Sequence, residues 1–397
     1  MNILYMNLDS YCDVDMLDMF EELKKEGEDI NVTVRKFKNT PERSDEIFEK
    51  ELYALIKELK PDVIFSFNYY PLISKSVQSA FEESGALYIS WVYDSPLVSL
   101  FSCTLINECN RVFLFDYSLY EFLEGQGINT VFYLPLAVNV KRLDSMKISA
   151  DIWHKYQARI SFVGGLYTES HTFYDRMEKS LDPYTKGYLE GLMNAQLKVS
   201  GINFIEKSLN KRVVADMYAA YPVDANPDGV ETTEWLYSEY FINRKITQIE
   251  RSEYLRSIGL KNPVSLYTRD NNFTAEGVKV YPPVDYYDMT PYVFKCSDIN
   301  LNISLRSIHT GIPLRVFDIM GCGGFVLTNY QEDMLRHFVP DRHFVYFEDK
   351  KDMLEKIDFY LSHDREREEI ARNGYEECLN NHTFRHRWRQ ILDVVEK

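Results

Sequence analysis

A chain of 397 residues exceeds what one hydrophobic core usually serves, so two domains are expected. With 45% hydrophobic and 27% charged residues the composition is globular, and a net charge of −16 speaks against nucleic acid, which needs a cationic face. Six cysteines form no CxxC pair, the first ten residues lack a basic start, and no stretch approaches the ~20 apolar residues of a membrane span, so a reduced, cytoplasmic protein is expected.

From the N-terminus, short apolar runs alternate with helical periodicity. Strands are expected at residues 3–8, 31–37, 63–67, 87–93, 111–115 and 130–134, with helices at 14–25 and 44–59. Continuous apolar runs separated by helices predict a parallel sheet covered on both faces. Residues 1–150 thus read as one doubly wound domain. The pattern restarts with a strand at 159–163, which ends in Gly164-Gly165. Helical periodicity, including 184–199 and 232–257, then dominates 169–260, roughly ninety residues and far beyond an ordinary connection. Strands resume at 264–267, 278–281, 299–303, 325–328 and 344–347, with a helix over 313–320. Residues 151–383 therefore read as a second α/β domain carrying a helical insertion. Ligands of such sheets bind at the carboxyl ends of the strands. With two facing domains, that points to the cleft between them.

The most informative stretch is residues 299–329, INLNISLRSIHTGIPLRVFDIMGCGGFVLTN. Its loop, 304–312, holds His309, Thr310, Gly311 and Ile312. Pro313 suits the first turn of a helix, where its missing N–H costs nothing. The unpaired N–H groups at such a helix start form an anion site fit for a diphosphate. Arg315 and Asp318 are three apart and share a helix face. Arg315 would neutralise phosphate and Asp318 would accept ribose hydroxyls, although a surface ion pair has the same spacing. Gly323-Gly324 permits close backbone approach or positive φ, and equally fits a helix C-cap.

No histidine precedes His154, so a base in the first domain falls to a carboxylate. Asp9, Asp94 and Asp116 end expected strands, and Asp94, followed by Ser95-Pro96, is the candidate; a turn-forming aspartate is the competing reading. His382 and His386 lie four apart and read as terminal-helix surface. Arg385, Arg387 and Arg389 around Trp388 read as a solvated face. Without a third ligand near the two histidines, no metal site is expected.

Residues 311–331, GIPLRVFDIMGCGGFVLTNYQ, resemble the C-terminal domain of GT-B glycosyltransferases, in the branch related to the spore maturation protein CgeB and its YkvP-like relatives. The resemblance continues through VDYYDMTPYVFKCSDINLNIS (284–304), YLSHDREREEIARNGYEECLNNHTFRHR (360–387), SFVGGLY (161–167) and WVYDSP (91–96). It implies a GT-B fold, two facing Rossmann-like domains, with residues 384–397 returning to the first. It also implies metal-independent transfer of a sugar from a nucleoside-diphosphate donor, UDP above others, to a protein or polysaccharide acceptor, with no further cofactor. Gly164 and Gly165 would lie under the phosphates or at the acceptor edge, and the Asp285–Tyr286 turn would neighbour the base. Many retaining members carry a pair of glutamates here. The second falls on Asp318, but the first falls on Thr310, which is no carboxylate. His309 beside it would meet the transferred sugar or the phosphate. Two other readings stand alongside: a non-catalytic GT-B-like binding or assembly protein, and a sugar-nucleotide epimerase, which would need more carboxylates and histidines. In the first, the insertion is the interaction surface; it would equally serve homo-oligomerisation.

Overall fold

The computed structural model describes residues 1–37, 46–70, 75–168, 172–226 and 229–395. Positions 44–45 of the expected second helix, 169–171 at the start of the insertion and 396–397 lie outside the described residues. The chain divides into two units. The first comprises Met1–Leu136, Ala225–Glu231 and Phe384–Lys397, the second Ala137–Asp224 and Thr232–Thr383.

In the first unit, β1 (Asn2–Asn7), β2 (Asn31–Lys36), β3 (Val63–Phe67), β4 (Leu87–Val92), β5 (Asn110–Leu114) and β6 (Val131–Tyr133) form one parallel sheet in the order β2-β1-β3-β4-β5-β6. The apolar runs dictate this: β3 is buried along its whole length, as a strand covered on both faces must be. Edge strand β2 instead exposes Arg35 and Lys36, charges that discourage pairing with another chain. Asp116 caps the helix Tyr117–Gly125, accepting from the Ser118 amide at 3.0 Å.

The helix Phe384–Val395 packs within this unit because Phe384, Arg387, Trp388 and Ile391 recur at helical spacing and are all buried. Trp388 meets Phe20 edge-on at 4.8 Å, and Phe384 meets Trp91 at 5.8 Å. Each large apolar side chain buried this way contributes roughly 1.5–3 kcal/mol. Two sequence expectations need correction here. Arg387 is not on a solvated face; it is buried and donates to the carbonyls of Pro135 (2.8 Å) and Leu136 (3.1 Å). His382 is not terminal-helix surface either: it follows the helix Asp364–Asn381 and is buried against Phe338, ring centroids 4.6 Å apart.

In the second unit, β7 (Ala158–Val163), β8 (Val264–Tyr267), β9 (Val278–Tyr281), β10 (Ser297–Asn302), β11 (Val326–Asn329) and β12 (Val345–Phe347) form a parallel sheet ordered β12-β11-β10-β7-β8-β9. The chain builds outward from β7 to β9, then returns to the other side of β7 with β10. That reversal makes the crevice between β7 and β10 the topological switch point, where ligands of such sheets bind. Between β7 and β8 the helical insertion has its own core, including Tyr174, Met177, Leu189, Met193, Val213 and Phe241. The helix Asn243–Gly259 serves both cores, with Ile246 in the insertion and Leu255 and Ile258 under the sheet. Periodicity predicts one helix over 232–257. The structure interrupts it with a π-turn, Tyr237–Ile242, whose extra residue re-aims the side chains that follow.

Candidate functional site

Register places Asn300 opposite Ser161, so β7 and β10 run out side by side at the same sheet edge. Gly164 follows β7, and its amide donates to the Tyr267 carbonyl at 3.0 Å. Pro313 is the extended cap residue rather than a first-turn residue, and the helix Leu314–Gly321 begins after it. Arg315, in that first turn, reaches back to the switch point. Its Nη1 donates to Asn302 Oδ1 at 2.8 Å, and the guanidinium lies 5.3 Å from the Phe162 ring centroid. A Cβ on Gly164 would stand 2.6 Å from Arg315 Nη2. Glycine at 164 is therefore what admits the guanidinium.

A second guanidinium adjoins the first. Arg251, buried on the long helix, donates to the carbonyls of Ile303 (3.0 Å) and Gly165 (2.6 Å) and lies over the Phe162 and Tyr167 rings. Burial and the neighbouring Arg251 charge pull Arg315 down to about 10. Arg315 stays protonated at neutral pH, yet two desolvated like charges are costly together. A bound anion would relieve that cost. Sequence reasoning missed Arg251 because it lies in plain helical periodicity with no local motif around it.

The loop 304–312 is pinned from several sides. The Ser304 amide donates to Asn329 Oδ1 (2.7 Å), the Arg306 amide to Thr247 Oγ1 (2.9 Å) and Gln331 Nε2 to the Gly311 carbonyl (3.0 Å). Thr310 and Ile312 are buried, at 9% and 0% exposure, and the Thr310 carbonyl takes the Asp333 amide at 3.1 Å. His309 stands beside the insertion, its Nε2 3.4 Å from Glu239. Asp318, buried one turn beyond Arg315, accepts from the Tyr286 hydroxyl at 3.1 Å. Asp285 shapes the turn that presents Tyr286, its Oδ1 accepting the amides of Tyr287 (2.9 Å) and Asp288 (2.8 Å).

Gly323 and Gly324 stand at the other end of the same helix, about 12 Å from its start at 1.5 Å per residue. Gly323 has φ 72° and Gly324 donates back to the Ile319 carbonyl at 2.9 Å, a terminating C-cap. A Cβ on Gly324 would meet Asn300 Nδ2 at 2.7 Å. Helix termination and close packing account for both glycines.

In the first unit, Asp94 is exposed just past the carboxyl end of β4. Its Oδ2 accepts from Asn68 Nδ2 at 2.8 Å, while Asn68 Oδ1 takes the amides of Tyr93 (3.1 Å) and Asp94 (3.2 Å). Asn68, at φ 60° after β3, thus orients the carboxylate. Burial, reinforced by the Asp94 charge, pushes the Tyr93 phenol well up, so it remains protonated. Asp9 is exposed and paired with Lys36 at 2.6 Å. Among the described residues no group of three or more His, Cys, Asp or Glu is arranged to hold a metal, and no helix is long and apolar enough to cross a membrane.

The sequence model of the family described as "Glycosyl transferase-like" matches residues 251–393. Among curated proteins no significant match is found. The chain is similar in structure to Anabaena Alr3699/HepE, solved in complex with UDP and glucose, at 13% identity and TM-score 0.53, covering 100% of this chain and 99% of that one. It is likewise similar to a sucrose-phosphate synthase from Thermosynechococcus elongatus, at 11% identity and TM-score 0.52, covering 100% and 98%. A glycosyltransferase from Rickettsia africae matches at 12% identity and TM-score 0.51, covering 99% and 97%. Two parallel six-stranded sheets and these likenesses identify the fold as GT-B, two Rossmann-like domains.

Proposed function

We propose that this chain is a CgeB-like GT-B glycosyltransferase of the cytoplasm, moving a sugar from a UDP-sugar to a hydroxyl of a protein or polysaccharide acceptor. The observation that carries this reading is the Arg315–Arg251 guanidinium pair at the β7/β10 switch point, with Asp318 one turn along the same helix. The family match supports it, since residues 251–393 include Arg251, Arg315 and Asp318. In the reaction, negative charge grows on the departing diphosphate. Arg315, with the N–H groups of its helix start, stabilises that charge and supplies the positive field that a metal provides elsewhere. Asp318 accepts ribose hydroxyls, and Asp94 takes the acceptor proton.

The direct test is thermal unfolding with UDP, UDP-glucose, GDP and uridine. A diphosphate present at a hundredfold over its Kd adds about 2.7 kcal/mol of stability. No shift with any nucleoside diphosphate would sink the reading. Two variants sharpen it. Gly164→Ala pushes its Cβ against Arg315 Nη2 at a φ of 155° that L-residues rarely adopt, so UDP affinity falls about tenfold, near the loss of one ordinary hydrogen bond, and the melting temperature falls with it. Asp318→Ala weakens uridine and UDP alike by about tenfold, because its partners are ribose hydroxyls. Calorimetric titration separates the two patterns.

A further inference from the structure

Loop 304–312 carries His309 but no carboxylate of its own. The acid that meets His309 comes from the helical insertion. Glu239 stands in the Tyr237–Ile242 π-turn, its side chain 4% exposed and its Oε1 3.4 Å from His309 Nε2. Such π-turns are rare and concentrate at functional sites. Glu239 Oε1 also accepts from Asn243 Nδ2 (3.0 Å) and Ser238 Oγ (3.1 Å). Asn243 Oδ1 takes Asn203 Nδ2 at 3.0 Å, and Asn203 itself lies 3.5 Å from His309 Nε2. Partners that satisfy one another this way hold a side chain in one orientation. A second acid, Glu206, is close by: burial and then Glu239 push its carboxyl up, while His309 pulls it back. The imidazole is 37% exposed, on a polar pocket it shares with Ser304, Asn329 and Gln331.

We propose that Glu239 is a positioning residue that holds His309 as a hydrogen-bond donor to a hydroxyl of the transferred sugar. The inference rests on the glycosyl-transfer reading above. A buried carboxylate at Nε2 sets the ring's orientation and favours its protonated form. With Glu239 against the ring and Glu206 close by, the local field is neutral to negative, which suits a sugar hydroxyl and disfavours phosphate. Phosphate belongs to the guanidinium pair instead. The long helix Asn243–Gly259 carries both Asn243 and Arg251 and so links the two subsites.

The experiment uses the full chain and the variant Glu239→Gln. Calorimetry gives Kd for UDP and for the most tightly bound of UDP-glucose, UDP-galactose and UDP-N-acetylglucosamine. NMR follows the His309 titration, whose described charged neighbours include Glu239 and Glu206. Expected is a UDP affinity within about twofold of wild type and a UDP-sugar to UDP affinity ratio that falls about tenfold, as one lost hydrogen bond would give. The His309 midpoint drops, because a charged carboxylate beside the ring is lost, and Glu239→Asp restores part of both. An unchanged ratio, or equal weakening of UDP and UDP-sugar, overturns the sugar assignment. An unchanged His309 midpoint overturns the pairing. Should Glu239→Gln fail to fold, His309→Gln carries the same ratio test. If wild type binds none of these nucleotides, the glycosyl-transfer reading falls and takes the sugar assignment with it, while the titration still decides the pairing.

Discussion

Arg315→Ala lowers UDP affinity about a hundredfold and leaves uridine affinity unchanged. Hydrogen bonds to a charged group contribute about 1.5–3 kcal/mol, and each 1.4 kcal/mol is a factor of ten in Kd. The guanidinium is already partly stripped of water and shares the Phe162 ring with the like charge of Arg251, so its charge is strong where a diphosphate would sit. The variant should not unfold the protein. It removes one of two mutually repelling charges, at the cost of the hydrogen bond to Asn302 and the contact with the Phe162 ring. Arg315→Lys recovers only part of the affinity, because an ammonium cannot make the planar two-pronged contact. Calorimetry with UDP, UMP and uridine checks the gradation. Equal losses for all three would take Arg315 out of the phosphate site.

Asp94→Asn lowers turnover by about 10²–10⁴, the usual worth of general-base help, with UDP binding and melting temperature nearly unchanged. The amide keeps the size of the carboxylate and can still accept from Asn68 Nδ2, so the loop after β4 holds its shape. What it cannot do is take a proton. The carboxylate is well placed for that work: exposed, fixed by Asn68, and flanked by the protonated Tyr93 phenol. Single-turnover rates with a UDP-sugar donor decide the matter. Near-normal turnover would make Asp94 a turn residue and place the reaction among those that need no such base. Unfolding would make its role structural.

Much of this molecule was legible from local pattern. Apolar runs too continuous for a half-exposed sheet marked the parallel strands, because a strand covered on both faces has no polar side to show. The proximity of Arg315 and Asp318 followed from helix geometry alone, since three residues make most of one turn. Local spacing left Gly323-Gly324 ambiguous between a ligand contact and a helix end, and the hydrogen bonds back to Met320 and Ile319 supply the helix-end explanation. Arg387 read as solvated because its neighbours are basic; only the packing of Trp388 and Phe384 turned its helix face inward. Arg251 and Glu239 were invisible for a deeper reason. Each meets the loop 304–312 or the end of β7 from an element distant in sequence, the crossover helix and the π-turn before it. Periodicity tells a side chain which face of its own element it occupies. Which other element it will touch depends on strand order and crossover path, and those are decided by how the whole chain buries its apolar surface.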